Sequence, residues 1–536
     1  MKKYLILAAV VALAGFLNGC HKELDQTPID PDLFTEVDVY QSADEAKSAL
    51  AKVYASLSLT GQNGPAGQPD ISGIDEGFSQ FSRMLFNLNE LTTDHCVVGW
   101  GDPGLPNLHE MSWGSGNDFT TAMYFRLSQV VSFSNSFISN AENLASDAEV
   151  QHYIAEARFL RAYAYYNLMD LFGSVPLVTA ITTELPQQSS RSEIFGFVEA
   201  ELLEIQDALK SPGSNEYGRV DQVAAWALLS RLYLNAEVFN GEARYTNSVT
   251  YAEMAINSTY SINTADGNGN GSAYDELFLA DNDRNGSQNE FIFVLTYDGL
   301  KSQTYGGTTF LTHGPVGGNM DPADFGINGG WSGYRTTKGL VQKFDYAINA
   351  SDGDGFPVGW DDSRAQFFTD GQNYEITTIA NTFEDGYALS KFRNVDVTGA
   401  PGSDTSGDFA DIDLPIIRLA EVYLNYAEAS LRGGGGSAAT SAALINELRT
   451  RASAPTITTA DLDLQFVLDE RSRELHWEGL RRTDLIRYGL FTGGSYLWPF
   501  KGGASNGRAV EDFRKIFPLP DNVLLINTNL TQNPGY

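Results

Sequence analysis

Cysteine is scarce in this 536-residue chain. Only Cys20 and Cys96 occur, so no disulfide framework is expected. Basic residues are also few: 35 Lys and Arg stand against 68 Asp and Glu, for a net charge of −33. That deficit excludes nucleic acid as a partner, because neutralising phosphate needs clustered Lys and Arg. It equally excludes peripheral, polybasic binding to anionic lipid. The six histidines form no HExxH pair, and Gly330-Trp331-Ser332-Gly333 is out of register for a GxSxG nucleophile elbow. Gly433–Gly436 reads as a linker between helices, not a phosphate loop. The apolar run from Tyr4 to Leu17, after Met1-Lys2-Lys3, is too short to span a bilayer as a mature helix.

What is present is 42% apolar residues, 12% aromatics and 52 glycines, a composition that suits a soluble fold with a neutral polar ligand. Residues 1–19 read as a signal peptide. Leu17-Asn18-Gly19-Cys20 resembles a bacterial lipobox, which implies a lipidated Cys20 and leaves Cys96 unpaired. Residues 20–38, with Pro28 and Pro31 and little periodicity, form a tether. Glu23 and Asp25 resemble an acidic surface-export tag. The length exceeds the ~250–300 residues of a single core, so one large composite domain or two intimate ones are expected.

The strongest pattern is YIAEARFLRAYAYYNLMDLFGSVPL, Tyr153 to Leu177. Ile154, Ala157, Leu160, Ala164, Leu168 and Leu171 recur every three or four residues, beside a second stripe of Phe159, Ala162, Tyr166 and Met169. A helix apolar on more than one face is buried between other helices. Gly173 is its predicted C-cap and Pro176 prevents continuation. Ser42-Ala43-Asp44-Glu45 approaches a capping box and opens a helix to about Leu57. Further helices are predicted over 118–144, 192–209, 218–239, 251–257, 415–431 and 444–451, and in VLDERSRELHWEGLRRTDLIRYGL from Val467. Residues 39–260 therefore form an N-terminal helical part and 413–536 a C-terminal one. Between them, 261–412 is a loop-rich insert with one short strand predicted at Phe291–Leu295.

ARFLRAYAYYNLMDLFGSVPL resembles a signature of the SusD/RagB family of glycan-binding lipoproteins, as do GRVDQVAAWALLSRLYLNAEVF, LPIIRLAEVYLNYAEASL and the block from Val467. The resemblance implies a mostly α fold, a tetratricopeptide-like superhelix with the loop-rich insert. It further implies an outer-membrane, surface-exposed, lipid-anchored protein that hands oligosaccharide to a SusC-like TonB-dependent transporter.

Residues 78–116 are the predicted ligand loop, because Trp100 precedes the turn Gly101-Asp102-Pro103-Gly104. An exposed indole stacks on the CH face of a sugar, while nearby polar groups pair its hydroxyls. Arg83, Asn87, Asp94 and Asp102 are the neighbouring candidates. The alternative is that Trp100 plugs the loop into the body. NELTTD…WGDPG is most similar to starch-binding members of the family, so Trp100 matches one stacking ring and Arg83 and Asp102 its polar partners. GINGGWSGYRTTKG makes Trp331 a second ring, and Tyr305 is the match for a third. Trp113 reads as structural, and Trp360 is unassigned.

Asp281-Asn282-Asp283-Arg284-Asn285-Gly286 copies the first half of a calcium loop, but Ile292 stands where the bidentate Glu belongs, so it is not an EF-hand. The resemblance implies a structural calcium, for which Asp281, Asp411 and Asp413 are the candidates; a solvated acidic turn is the alternative. Glu470 with Arg473 and Glu478 with Arg482 are spaced as helical ion pairs and read as structural. No catalytic residue is assigned. The expected ligand is a starch-like α-glucan or malto-oligosaccharide, with a β-glucan such as laminarin next. A glycan-cleaving enzyme and a scaffold without a sugar site are the rivals.

Overall fold

The computed structural model describes residues 39–379 and 383–536; Cys20, the signal peptide and the tether lie outside them. Helix α1, Ala43–Ser58, starts where Ser42 Oγ accepts the Glu45 amide. Helix α2, Phe81–Asn89, leads into strand β1, Cys96–Val98. Then come α3, Asp118–Ala141, and α4, Ala148–Phe172. Helix α4 is the doubly striped segment, and it is buried along most of its length. It stops where predicted: Gly173 adopts φ 71°, left-handed backbone that glycine takes without strain.

Helices α5 (Arg191–Ile205), α6 (Gln222–Leu234) and α7 (Tyr245–Ile256) complete the N-terminal half. Neighbouring helices pack in sequence, α3 on α4, α4 on α5 and α6 on α7, building the expected superhelix. The polar residues of α4 pair with neighbouring segments: Glu156 with Arg219 in the loop before α6, and Arg158 and Arg161 with Glu201 on α5.

Strand β2, Phe291–Leu295, is the predicted buried strand of the insert. Phe293 sets its ring edge-on to Phe159 and Tyr163 of α4, 5.4 and 5.2 Å between centroids. Helix α8, Gly307–His313, and strand β3, Tyr334–Thr336, follow. Strand β4, Leu414–Arg418, pairs antiparallel with β2, and α9 starts only at Leu419 and runs to Ala429. The helix expected from Pro415 is thus corrected at its start: Pro415, Ile416 and Ile417 gain more as a buried ladder against β2. Helices α10 (Ala438–Arg451), α11 (Leu464–Leu475) and α12 (Arg481–Arg487) close the chain. One hydrophobic core extends from Ala46 to Leu530 and includes residues of the insert; a small satellite gathers Val316, Met320, Phe325, Ile327 and Ala388.

The charge lattice of α11 is buried rather than solvated. Glu470 does pair with Arg473 at 2.7 Å. Glu478 does not pair with Arg482, because the helix ends at Leu475 and Trp477 takes φ 65°, which destroys the i,i+4 spacing. Glu478 instead meets Arg418 and Lys391, each at 2.7 Å, while Arg482 reaches Asp170 on α4 at 3.0 Å. Glu474 binds Arg418 and Arg451, and Arg364 binds Glu470, all within the interior. The lattice therefore locks β4, α10 and α11 together.

Candidate functional site

Two distant segments meet where β1 pairs antiparallel with β3, Val98 opposite Tyr334 and Cys96 opposite Thr336. The ladder extends one step further, with the Gly99 amide donating to the Gly333 carbonyl at 2.8 Å. Trp100 therefore leaves one strand beside the point where Trp331 approaches the other. Their rings lie 6.2 Å apart at 49°, and Trp100 Nε1 donates to the Trp331 carbonyl at 2.9 Å. Both indoles are half-buried. The buried Tyr334 ring meets Trp100 at right angles, 5.1 Å away, and fixes its base.

Tyr305, just before α8, brings a third half-buried ring to within 6.5 Å of Trp331, inclined 55°. Its other neighbour is Phe409, at 5.4 Å. Arg83 lies among the rings. Its guanidinium is 5.8 Å from the centroid of Trp100, 6.0 Å from Trp331 and 4.7 Å from Phe310. Its position is set from α2, where the Gln80 side chain caps the helix by accepting the Arg83 amide. Arg83 Nη1 donates to the carbonyls of Tyr305 at 3.1 Å and Gly77 at 2.8 Å. Burial lowers the Arg83 pKa, opposed by Tyr334 and the negative Asp102. Asp102 itself is exposed at the turn, where its carbonyl accepts the Leu105 amide.

The five residues read from the sequence as ligand-binding thus gather at one place. Asn87 and Asp94 do not join them. Asn87 is buried and accepts the Tyr334 hydroxyl; Asp94 is buried between Arg481 and Tyr496. Trp113 is buried, donating to the Tyr536 hydroxyl at 2.7 Å. Trp360 packs within the insert on Phe367, 5.1 Å away. Sequence reasoning missed His313, whose ring stacks on Trp331 at 4.9 Å and 22°, and Gly333 beneath Trp100. Neither belongs to a recognisable motif.

The candidate calcium ligands are rearranged. Asp411 and Asp413 line a pocket of about 350 Å³ together with Asp283 and Asp298, and Arg284 lines it too, paired with Asp283 at 2.7 Å; Asp281 does not line it. Asp281 turns instead to the Asn285 side chain and the Val397 amide. Burial raises the Asp413 pKa to about 7, and the charges of Asp283 and Asp411 add to the rise. Tyr297 N–H and Tyr217 O–H oppose it as hydrogen-bond donors to the carboxylate. The pocket's carboxylates are oxygen donors of the kind calcium takes, but Asp283 is already paired with Arg284. As they stand, however, no three His, Cys, Asp or Glu among the described residues are placed to hold a metal.

Glu470 and Glu474 of α11, and Glu478 just beyond it, are all buried in ion pairs, which leaves none of them open to a glycan. A Glu90–His95–Ser472 chain, with contacts of 2.6 and 2.7 Å, has the connectivity of an acyl-transfer triad. All three members are 1% exposed or less, so no substrate reaches Ser472. Among the described residues no helix is long and apolar enough to cross a membrane.

Comparison with known proteins gives a consistent answer. The SusD family matches residues 362–536, and a family described as starch-binding, associating with the outer membrane, matches residues 85–234. The chain is 36% identical, over a 570-position alignment, to the starch-binding protein SusD of Bacteroides thetaiotaomicron, covering 100% of this chain and 99% of that one. Two solved structures share the fold at a TM-score of 0.67. One is a laminarin-binding SusD-like protein, 22% identical, covering 92% of this chain and 99% of its own. The other is surface glycan-binding protein A from Bacteroides fluxus, 21% identical, covering 92% and 100%.

Proposed function

The chain belongs to the SusD family, and on that premise we propose that it is a surface lipoprotein, anchored to the outer membrane through Cys20, that captures an α-glucan such as starch or malto-oligosaccharide. It passes the bound chain to a SusC-like TonB-dependent transporter. One observation carries the reading: Trp100, Trp331 and Tyr305 come from segments up to 231 residues apart and meet at one half-buried arginine, Arg83.

The rings do the binding. Their centroids are spaced at 6.2 and 6.5 Å and their planes inclined at 49° and 55°. A flat ribbon cannot lie against planes that turn so sharply, whereas a chain that curves from sugar to sugar can. CH faces stack on the rings while hydroxyls pair with Arg83 and with Asp102 at the rim. The half-buried, mutually braced rings lose little freedom on binding, which favours affinity. A calcium ion would have to draw Asp283, Asp411 and Asp413 closer together than they now stand; the sugar site does not depend on it.

Native gel electrophoresis against a polysaccharide panel tests this reading. Retardation by amylopectin with little effect from laminarin supports it. Retardation by laminarin alone moves the ligand to a β-glucan, and retardation by neither rejects a sugar site of this kind. New reducing ends during incubation favour an enzyme.

A further inference from the structure

The proposed ligand rings are half-buried, yet something must stop them turning. For Trp331 the neighbour is His313, the last residue of α8. Its imidazole lies nearly parallel to the indole, 4.9 Å between centroids and 22° between planes. The Trp331 amide donates to the His313 carbonyl at 2.8 Å, so main chain and side chain are both paired. His313 is itself enclosed and anchored. It is 2% exposed, and its Nδ1 contacts the Gly329 carbonyl at 2.7 Å. The following residues tie the same segment down: Ser332 N–H donates to the Val316 carbonyl, and Gly333 and Tyr334 N–H to that of Gly314. Ser332 takes φ 51°, a left-handed conformation rare for a residue with a side chain, which this clamp imposes.

Trp331 then fixes Trp100, because the Trp331 carbonyl accepts the Trp100 indole N–H. Order runs from α8 through His313 to both indoles. We propose that His313 is a positioning residue of the binding site: it backs Trp331 and, through the Trp331 carbonyl, holds Trp100. The backed face of Trp331 is closed to sugar, so a glycan stacks on this indole from one side only. A fixed pair of single faces reads the curvature of the chain, where a mobile pair would accept many. Burial also lowers the His313 pKa, opposed by the Gly329 carbonyl and by Asp408.

This inference rests on the proposed sugar site, and its test separates the two. The mature protein and its His313→Ala and His313→Phe variants are compared by near-ultraviolet circular dichroism and by titration with maltoheptaose. The inclined indoles, 6.2 Å apart, form a coupled pair whose near-ultraviolet signal reports their mutual geometry. His313→Ala is expected to lose that signal and to weaken binding about three- to tenfold, the cost of immobilising one or two freed side chains. His313→Phe restores a flat backing ring and keeps signal and affinity within about twofold. A lower melting temperature in His313→Ala with signal and affinity unchanged overturns the proposal. If wild type does not bind maltoheptaose, the dichroism alone decides whether His313 orders the pair, and the sugar reading fails separately.

Discussion

Gly333 lies directly under Trp100: an ideal Cβ at position 333 falls 2.2 Å from Cε2 of the indole and 2.5 Å from Nε1. No rotation of a methyl relieves such an approach, and the indole is already braced by Tyr334 and the Trp331 carbonyl. Glycine at 333 is therefore what allows the first indole to lie across the end of the β1–β3 ladder.

Gly333→Ala is expected to push Trp100 out of place. Overpacking costs about 1–3 kcal/mol of stability. Glycan affinity should fall about tenfold or more, because a displaced ring at the centre of a site is costly. Calorimetric titration beside thermal unfolding checks both, and an unchanged affinity refutes the placement of Trp100 in the site.

Arg83 joins the rings to the main chain on both sides of the site. Arg83→Ala leaves the Gly77 and Tyr305 carbonyls without these donors, a loss of about 1–3 kcal/mol if no water replaces them. Arg83→Lys is expected to rescue little, since an ammonium lacks the planar fork of a guanidinium. Both variants should bind glycan weakly, as measured by titration. Full binding by the lysine variant would show that charge alone suffices.

The buried lattice predicts an acid-sensitive fold. Burial alone would raise Glu474, but Arg451, Arg418 and Arg364 outweigh it and bring its pKa to about 2. A carboxylate held below its unfolded value of about 4.3 contributes stability that is complete above that value. The contribution is lost as pH falls from about 4.3 through 2. Urea unfolding across that window should show the midpoint falling. Glu474→Ala should cost about 3–5 kcal/mol near neutrality by leaving buried arginines unpaired. Its folded fraction should bind glycan as wild type does.

Calcium is expected to act through Asp283, Asp411 and Asp413. Asp413 titrates at about 7, raised by burial, so without metal it contributes stability below its unfolded pKa that is lost as pH rises through 7. A dication reverses this penalty and needs the ionised carboxylate. Calcium should therefore raise the melting temperature more at pH 8 than at pH 5.5. Asp413→Asn and Asp283→Asn should abolish the rise, and Asp281→Asn should keep it. Equal shifts at both pH values, or none, contradict the assignment.

Much of this architecture was legible in the sequence, for physical reasons that differ by element. Helix α4 announces itself through two apolar stripes and a glycine stop, because local periodicity and capping decide it. Strand β4 does not, since Pro415, Ile416 and Ile417 form a short apolar run that suits either state until β2 lies beside it. In the lattice of α11 the Glu470–Arg473 pair is legible, but the partners of Glu478 and Arg482 are not, because the helix breaks before Trp477. The rings were found through family resemblance; no local rule links Trp100 to Trp331 across 231 residues. His313 carries no signal, since only the folded chain sets it against an indole. Which of Asp281 and Asp283 lines the pocket with Asp411 and Asp413 is not legible, because a loop has no period to say which side faces inward.

The most direct measurement is calorimetric titration of maltoheptaose into the mature protein and into its Trp100→Ala, Trp331→Ala double variant. Saturable binding by the wild-type chain is expected, with at least about a thirtyfold loss in the double variant while its unfolding remains cooperative. Equal affinity in the two proteins would contradict the account at its centre.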